Sequence, residues 1–160
     1  MQEVAEGELP HYVRLGGKVE DNQITQEFWV TQPHPKGTDL NAVRWRSVRA
    51  IVDTGCTHTA IRMDVAAELG LPIVDQCVVA TASSGVAGET RPMVLGLVLV
   101  FENPMREAIA ERKFIAQDMA DEMLLGMDLL DGGILRVDLV NKTWEWKLHQ
   151  RVAHSPNPYR

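Results

Sequence analysis

The reading of this chain turns on the stretch Ala50-Ile51-Val52-Asp53-Thr54-Gly55-Cys56-Thr57-His58-Thr59-Ala60-Ile61. Ala50, Ile51 and Val52 form a short apolar run with two β-branched members, which predicts a strand buried on both faces. Asp53 stands where that strand stops. A carboxylate at the edge of a core is costly unless it is hydrogen-bonded or placed to do chemistry. Gly55, two residues on, permits a sharp turn and the close approach of another backbone, and Thr54 supplies a hydroxyl to brace it. After Thr57 an apolar-polar beat resumes. The same residues also fit a plain strand-to-turn corner in which Asp53 and Thr54 cap backbone amides. Taken alone, the triplet does not separate the two readings.

A second element does. Met123-Leu124-Leu125-Gly126-Met127-Asp128-Leu129-Leu130 lies about seventy residues further on. Two apolar residues and a glycine inside a buried strand allow another segment of backbone to pack against it. In this order and at this distance the two elements resemble the retropepsin-like, single-lobed aspartic proteases, over about residues 43 to 140. The resemblance implies a mostly β fold, a closed barrel-like lobe with a flap hairpin and one or two short helices. It implies that Asp53 is the catalytic residue, that Thr54 and Gly55 support its loop, and that Leu124, Leu125 and Gly126 form the strand packed beside it. The chain holds one Asp-Thr-Gly and no internal repeat, so the resemblance implies half a site. The whole would then be a symmetric homodimer in which two Asp53 carboxylates share a proton and activate a water against a peptide bond. That is an aspartic endopeptidase acting on a peptide or protein substrate, with no metal and no cofactor. A dimer of the same fold that binds peptides or protein partners without cutting them is the alternative.

The remaining sequence sets the frame. A chain of 160 residues, 45% of them hydrophobic, predicts one domain with a real core. That domain is expected over 12–149, with 1–11 as a loose leader and 150–160 as a mobile tail. The longest apolar run, Met93 to Phe101, suits a strand and not a membrane span. The acidic start lacks the layout of a signal peptide. A formal charge of −6 argues against nucleic acid as a partner. Two cysteines make no disulfide framework, so a reducing, cytoplasmic setting is expected.

Taken in order, Tyr12–Leu15 followed by Gly16-Gly17 predicts a hairpin, and Ile24–Thr31 a strand. Arg44, Arg46 and Arg49 against Val43, Trp45, Ser47 and Ala50 predict a solvated strand face, with an anion site as the alternative, and Val48 interrupts the alternation where the strand becomes buried. A helix is expected with Asp64 as its N-cap and Gly70 beyond its end, with Glu68 at the surface. Cys77–Ala80 and Arg91–Phe101 flank a small, polar tip containing Ser83, Ser84, Gly85, Val86, Ala87 and Gly88. This hairpin resembles the protease flap in position, and an ordinary surface hairpin remains the alternative. Lys113–Ala116 reads as a strand and Met127–Leu130 as a short helix. A last hairpin, Ile134–Val140 and Thr143–Leu148, puts Trp144, Trp146 and Leu148 on one face, for the core or for the dimer.

Three features depart from the resemblance. Cys56 stands where alanine or serine is usual. Thr57 and His58 replace acids that would hold the substrate backbone. The hairpin tip is not glycine-rich in the retroviral manner. Cys56 and His58, two residues apart, also raise thiol chemistry, which nothing else in the sequence supports. His11, His34, His149 and His154 show no metal-ligand spacing.

Overall fold

Strand β3 (Arg46–Val52) carries Asp53 at its C-terminal end and sits deep in the hydrogen-bonded order. The computed structural model describes residues 12–35, 37–39, 42–80, 88–99, 109–130 and 133–149. The expected leader, the expected tail, and Ser83 to Ala87 of the hairpin tip lie outside the described residues. Before β3 come β1 (Tyr12–Lys18) and β2 (Thr25–Thr31). After it come β4 (Ala60–Arg62), α1 (Met63–Glu68), β5 (Ile73–Val79), β6 (Glu89–Leu99) and β7 (Ile109–Gln117). The chain then runs through β8 (Met123–Leu125), α2 (Met127–Leu130), β9 (Gly133–Asp138) and β10 (Thr143–His149).

Seven strands pair in the order β2-β3-β8-β4-β7-β6-β5, and β6 also pairs with β2. The run of pairings from β2 to β6 therefore returns to the strand on which it began. A separate three-stranded sheet, β1-β10-β9, packs its tryptophans into the same core. Phe28, Val30, Val48, Ala50, Ile61, Val65, Phe114, Met123 and Leu125 fill that core at 3% exposure or less. Among the described residues the architecture is mostly β with two short helices, as the resemblance implied.

Local differences have identifiable causes. Gly16-Gly17 does not turn the chain; it lies within β1, opposite Glu145 and Trp144. A Cβ on Gly16 would stand 3.0 Å from the Trp144 carbonyl oxygen, and one on Gly17 would stand 3.2 Å from its Nε1. Gly17 makes room for the Trp144 indole, and Gly16 for the backbone of the neighbouring strand. The turn falls instead at Glu20–Gln23, where Asp21 and Asn22 take φ of 51° and 58° and the flanking residues exchange both backbone hydrogen bonds. Two successive left-handed residues in a two-residue connection give the twist that antiparallel strands favour.

The arginine face also differs. β3 starts only at Arg46; Val48 and Ala50 are buried as expected, whereas Val43 and Trp45 precede the strand and are only partly buried. Arg44 and Arg49 are exposed, but Arg46 is three-quarters buried and paired with Glu68 and Glu122, at 3.1 Å each. Glu68, 59% exposed, is at the surface as expected.

Helix α1 begins two residues earlier than expected, with Arg62 at its N-cap in place of Asp64 and no side chain capping it. Asp64 sits in the first turn, where its Oδ1 accepts from Val65 N at 2.8 Å and Arg62 Nε at 2.6 Å. At the other end Gly70 takes φ of 64°, its N–H donates to Ala67 O, and Leu71 N donates to Ala66 O. This is a Schellman closure, and it favours glycine at that position.

Trp144 and Trp146 are 5% and 2% exposed within the monomer's own core. They are not available as an interface. The two indoles belong to the same buried cluster as Phe28, Val48 and Leu125, so they are consumed inside one chain.

Candidate active site

Strand β8 lies between β3 and β4, parallel to the first and antiparallel to the second. The segment 53–59 that links β3 to β4 must therefore cross the end of β8. Val52 pairs with Leu125, and Asp53 N donates to Leu125 O at 3.0 Å, so the strand hydrogen bonding runs up to the acid itself. Where the loop crosses, Gly126 lies beneath it. A Cβ there would meet His58 C at 2.6 Å, His58 O at 2.7 Å and Thr59 N at 2.9 Å. All three are backbone atoms, so only glycine fits without displacing the loop.

Helix α2 then clasps the loop from the other side. Met127 N donates to Cys56 O at 2.8 Å and Asp128 N to Thr57 O at 3.2 Å. Asp128 Oδ1 accepts from Thr59 N at 2.9 Å and from Thr59 Oγ1 at 2.6 Å. The Thr59 hydroxyl in turn accepts from Gly126 N at 3.0 Å. Thr59 is fully buried, so this chain satisfies polar groups that would be expensive to leave alone. Sequence reasoning did not single out Thr59 or Asp128. The available signals were a hydroxyl inside an apolar run and an acid at the start of an apolar helix.

Asp53 is half-buried on this braced loop. Gly55 N donates to its Oδ1 at 2.9 Å, and the Cys56 thiol donates to its Oδ2 at 3.1 Å. Cys56 N closes the turn onto Asp53 O at 3.2 Å. Thr54, Gly55, Thr57 and His58 are exposed around it, as is Met127 at 45%. The carboxylate is thus presented at an open face of the single chain. A cavity of about 530 Å³, bordered by Thr31, His34, Arg44, Trp45 and Glu68, lies at the other end of β3 and does not include the Asp53 loop.

The two groups of the thiol alternative are not poised together. Burial, then the Asp53 hydrogen bond, and then the charges of Asp53 and Asp128 push the Cys56 thiol up to about 11. A nucleophilic cysteine needs the opposite shift. His58, 44% exposed, instead faces Asp128, with Nδ1 4.0 Å from Oδ2. Cys56 and Cys77 are both free thiols. Among the described residues, no group of three or more His, Cys, Asp or Glu side chains is placed to hold a metal ion. Nor is any helix among them long and apolar enough to cross a membrane.

Of the remaining sequence-predicted residues, Leu124 and Leu125 lie in β8, with Leu125 fully buried and Leu124 partly so. Gly88 enters β6 at the base of the β5–β6 hairpin, pressed against Val78 and Val79. A Cβ there would lie 2.7 Å from Val78 Cγ1.

A single lobe in which an Asp-Thr-Gly loop crosses a strand inserted between its own two strands defines the retropepsin-like acid protease class. A family model described as "gag-polyprotein putative aspartyl protease" matches residues 42–132, more than half of the chain, and the chain belongs to that family. In fold it is similar to a retropepsin-like aspartic protease from Rickettsia conorii, with a TM-score of 0.54 at 16% identity. The match covers 86% of this chain and 92% of that one. None of the curated proteins matches it.

Proposed function

We propose that this protein is an aspartic endopeptidase whose active site forms between two copies of the chain. The observation that carries the reading is the placement of Asp53: one acid per chain, held through both carboxylate oxygens, on a braced loop at an open face. Family membership and fold support the same activity. With two such loops facing each other across a two-fold axis, the carboxylates cannot both ionise easily and hold one proton between them. The ionised carboxylate takes a proton from a bound water as that water attacks the scissile carbonyl. The protonated one donates to the oxygen on which charge develops, and the pair titrates as a unit.

The exposed residues Thr54, Gly55, Thr57 and His58 are then the part of each chain that meets its partner or the peptide. On the family likeness, we assign closure over the substrate and exclusion of water to the β5–β6 hairpin. Two free thiols fit a reducing compartment such as the cytoplasm.

The test is cleavage of a mixed peptide library from acidic to alkaline pH, for wild type and Asp53→Asn, with and without a pepstatin-type inhibitor. Cleavage that is best in mild acid, blocked by the inhibitor and lost in Asp53→Asn is expected. Cleavage retained in Asp53→Asn would overturn the mechanism. A folded dimer that binds peptides but cuts none would mark a silent relative.

A further inference from the structure

We propose that the cavity at the end of β3 remote from Asp53 binds a monocarboxylate with an apolar body, the chemistry shared by a small organic acid and the C-terminal end of a peptide. The proposal is independent of the protease reading, because the cavity does not include the Asp53 loop.

At about 530 Å³ the cavity has the size of a small-ligand site. Strand ends frame it. β2 stops at Thr31, and β3 starts at Arg46, which pairs with Val30. The buried Thr31 hydroxyl donates to Arg44 O at 3.0 Å, which ties the segment before β3 to the end of β2. Glu68, the last residue of α1, and Leu69, its C-cap, also border the space. Leu69 and Trp45 are half-buried and offer it an aliphatic and an aromatic surface. Gln32 and Ser47 add an amide and a hydroxyl. Apolar surface with a few fixed polar groups is what holds and orients a small ligand.

Arg46 points to the chemistry of that ligand. Its Nε is held by Glu68 Oε2 and its Nη2 by Glu122 Oε1, at 3.1 Å each. Its Nη1 is buried and has no hydrogen-bond partner among the described residues. A buried guanidinium N–H left without an acceptor is costly, and an oxygen brought in by a ligand would supply one. Arg44, which borders the same cavity, is exposed and makes no ion pair among the described residues. A planar carboxylate suits guanidinium donors better than any other simple anion of one charge. The two glutamates on Arg46 already outnumber its charge, so a phosphate dianion would be repelled there. Arg44 leaves room for one negative charge and no more.

Binding is read from backbone amide shifts in an NMR titration, with hexanoate as the first probe and hexanamide, its neutral match, as the second. Hexanoate should move the amides of Gln32, Ser47 and Leu69 saturably, and hexanamide should bind about tenfold more weakly or worse, since it lacks the charge. Arg44→Gln, at an exposed position, should melt like wild type and lose about tenfold in hexanoate affinity. Asp53→Asn should bind hexanoate as wild type does, whether or not any peptide is cut. N-acetyl-leucine, a carboxylate on a peptide-like body, tells the two sources apart. Binding tighter than that of hexanoate marks a peptide end, and equal or weaker binding marks a free organic acid. The proposal is overturned by equal affinity for hexanoate and hexanamide, by an unchanged affinity in Arg44→Gln, or by inorganic phosphate binding as tightly as hexanoate. Loss of binding in Asp53→Asn, or no saturable shift at the three amides, would overturn it as well.

Discussion

Replacing Gly126 by alanine tests whether the crossing of the loop over β8 fixes the site. The added Cβ would stand 2.6 Å from His58 C, 2.7 Å from His58 O and 2.9 Å from Thr59 N. Each contact is below any distance that carbon tolerates, and none can be relieved by a side-chain rotation. The loop must lift, and lifting it breaks the hydrogen bond from Gly126 N to the buried Thr59 hydroxyl at 3.0 Å. Overpacking of this kind costs about 1–3 kcal/mol, and the upper end applies because backbone moves on every side. At this chain length a cost near that upper end lowers the melting temperature by about 6–12 °C. Activity should fall further than stability, since the lifted residues are continuous with Asp53. Gly55→Ala is the matched control, because its Cβ meets only Asp53 Oδ1, at 3.2 Å. Its melting temperature should barely move while catalysis is impaired by pressure on the carboxylate. Thermal denaturation followed by circular dichroism, paired with peptide cleavage, reads both. If Gly126→Ala melts within about 1 °C of wild type and remains active, the loop is not seated on β8 as described.

Other outcomes follow from neighbouring features. Asp128→Ala strands the Thr59 amide and hydroxyl and should cost about 2–4 kcal/mol in urea denaturation, whereas Asp128→Asn, which keeps an acceptor, should cost about 1 or less. Trp146→Ala should destabilise the monomer by about 3–5 kcal/mol, because the ring is core, and should leave the dimer dissociation constant of the protein that remains folded nearly unchanged. Asp64, Asp75 and Asp138 are held below their ordinary 3.8 by Arg62, by Gln76 N with Lys113, and by Asn141 respectively. Their contribution is therefore fully present above that value and lost only as pH falls through the lower folded values. Stability should stay level through the mildly acidic range and decline below it, as denaturation at a series of pH values would show.

The parts of the fold that were legible in sequence are those that depend on neighbours in the chain. Val52, Asp53 and Gly55 encode a strand end and a turn within a few residues, and Leu124-Leu125-Gly126 encodes a strand that another backbone crosses. What escaped is set by partners far away in sequence. Thr59 and Asp128 are 69 positions apart and meet only because β8 inserts between β3 and β4. Gly16-Gly17 carries the local signature of a turn, yet Trp144 decides its use. Arg46 alternates like a surface residue until Glu122, just before β8, is brought alongside it. The tryptophan row of β10 shows the limit most plainly, since alternation reveals that a face is apolar but not whether the chain itself or a second copy covers it.

Mixing subunits tests the proposal that one chain holds half a site. Wild type and Asp53→Asn are combined in equal amounts, unfolded and refolded together, and assayed at a concentration where sedimentation shows dimer. If each site needs two Asp53 carboxylates, random pairing leaves about one dimer in four active. Activity should then fall to about half that of the same amount of wild type refolded alone. Dilution of pure wild type below its dimer dissociation constant should also abolish specific activity. Full additivity of the wild-type activity in the mixture, together with undiminished cleavage by a sedimenting monomer, would show that a single chain holds a whole site.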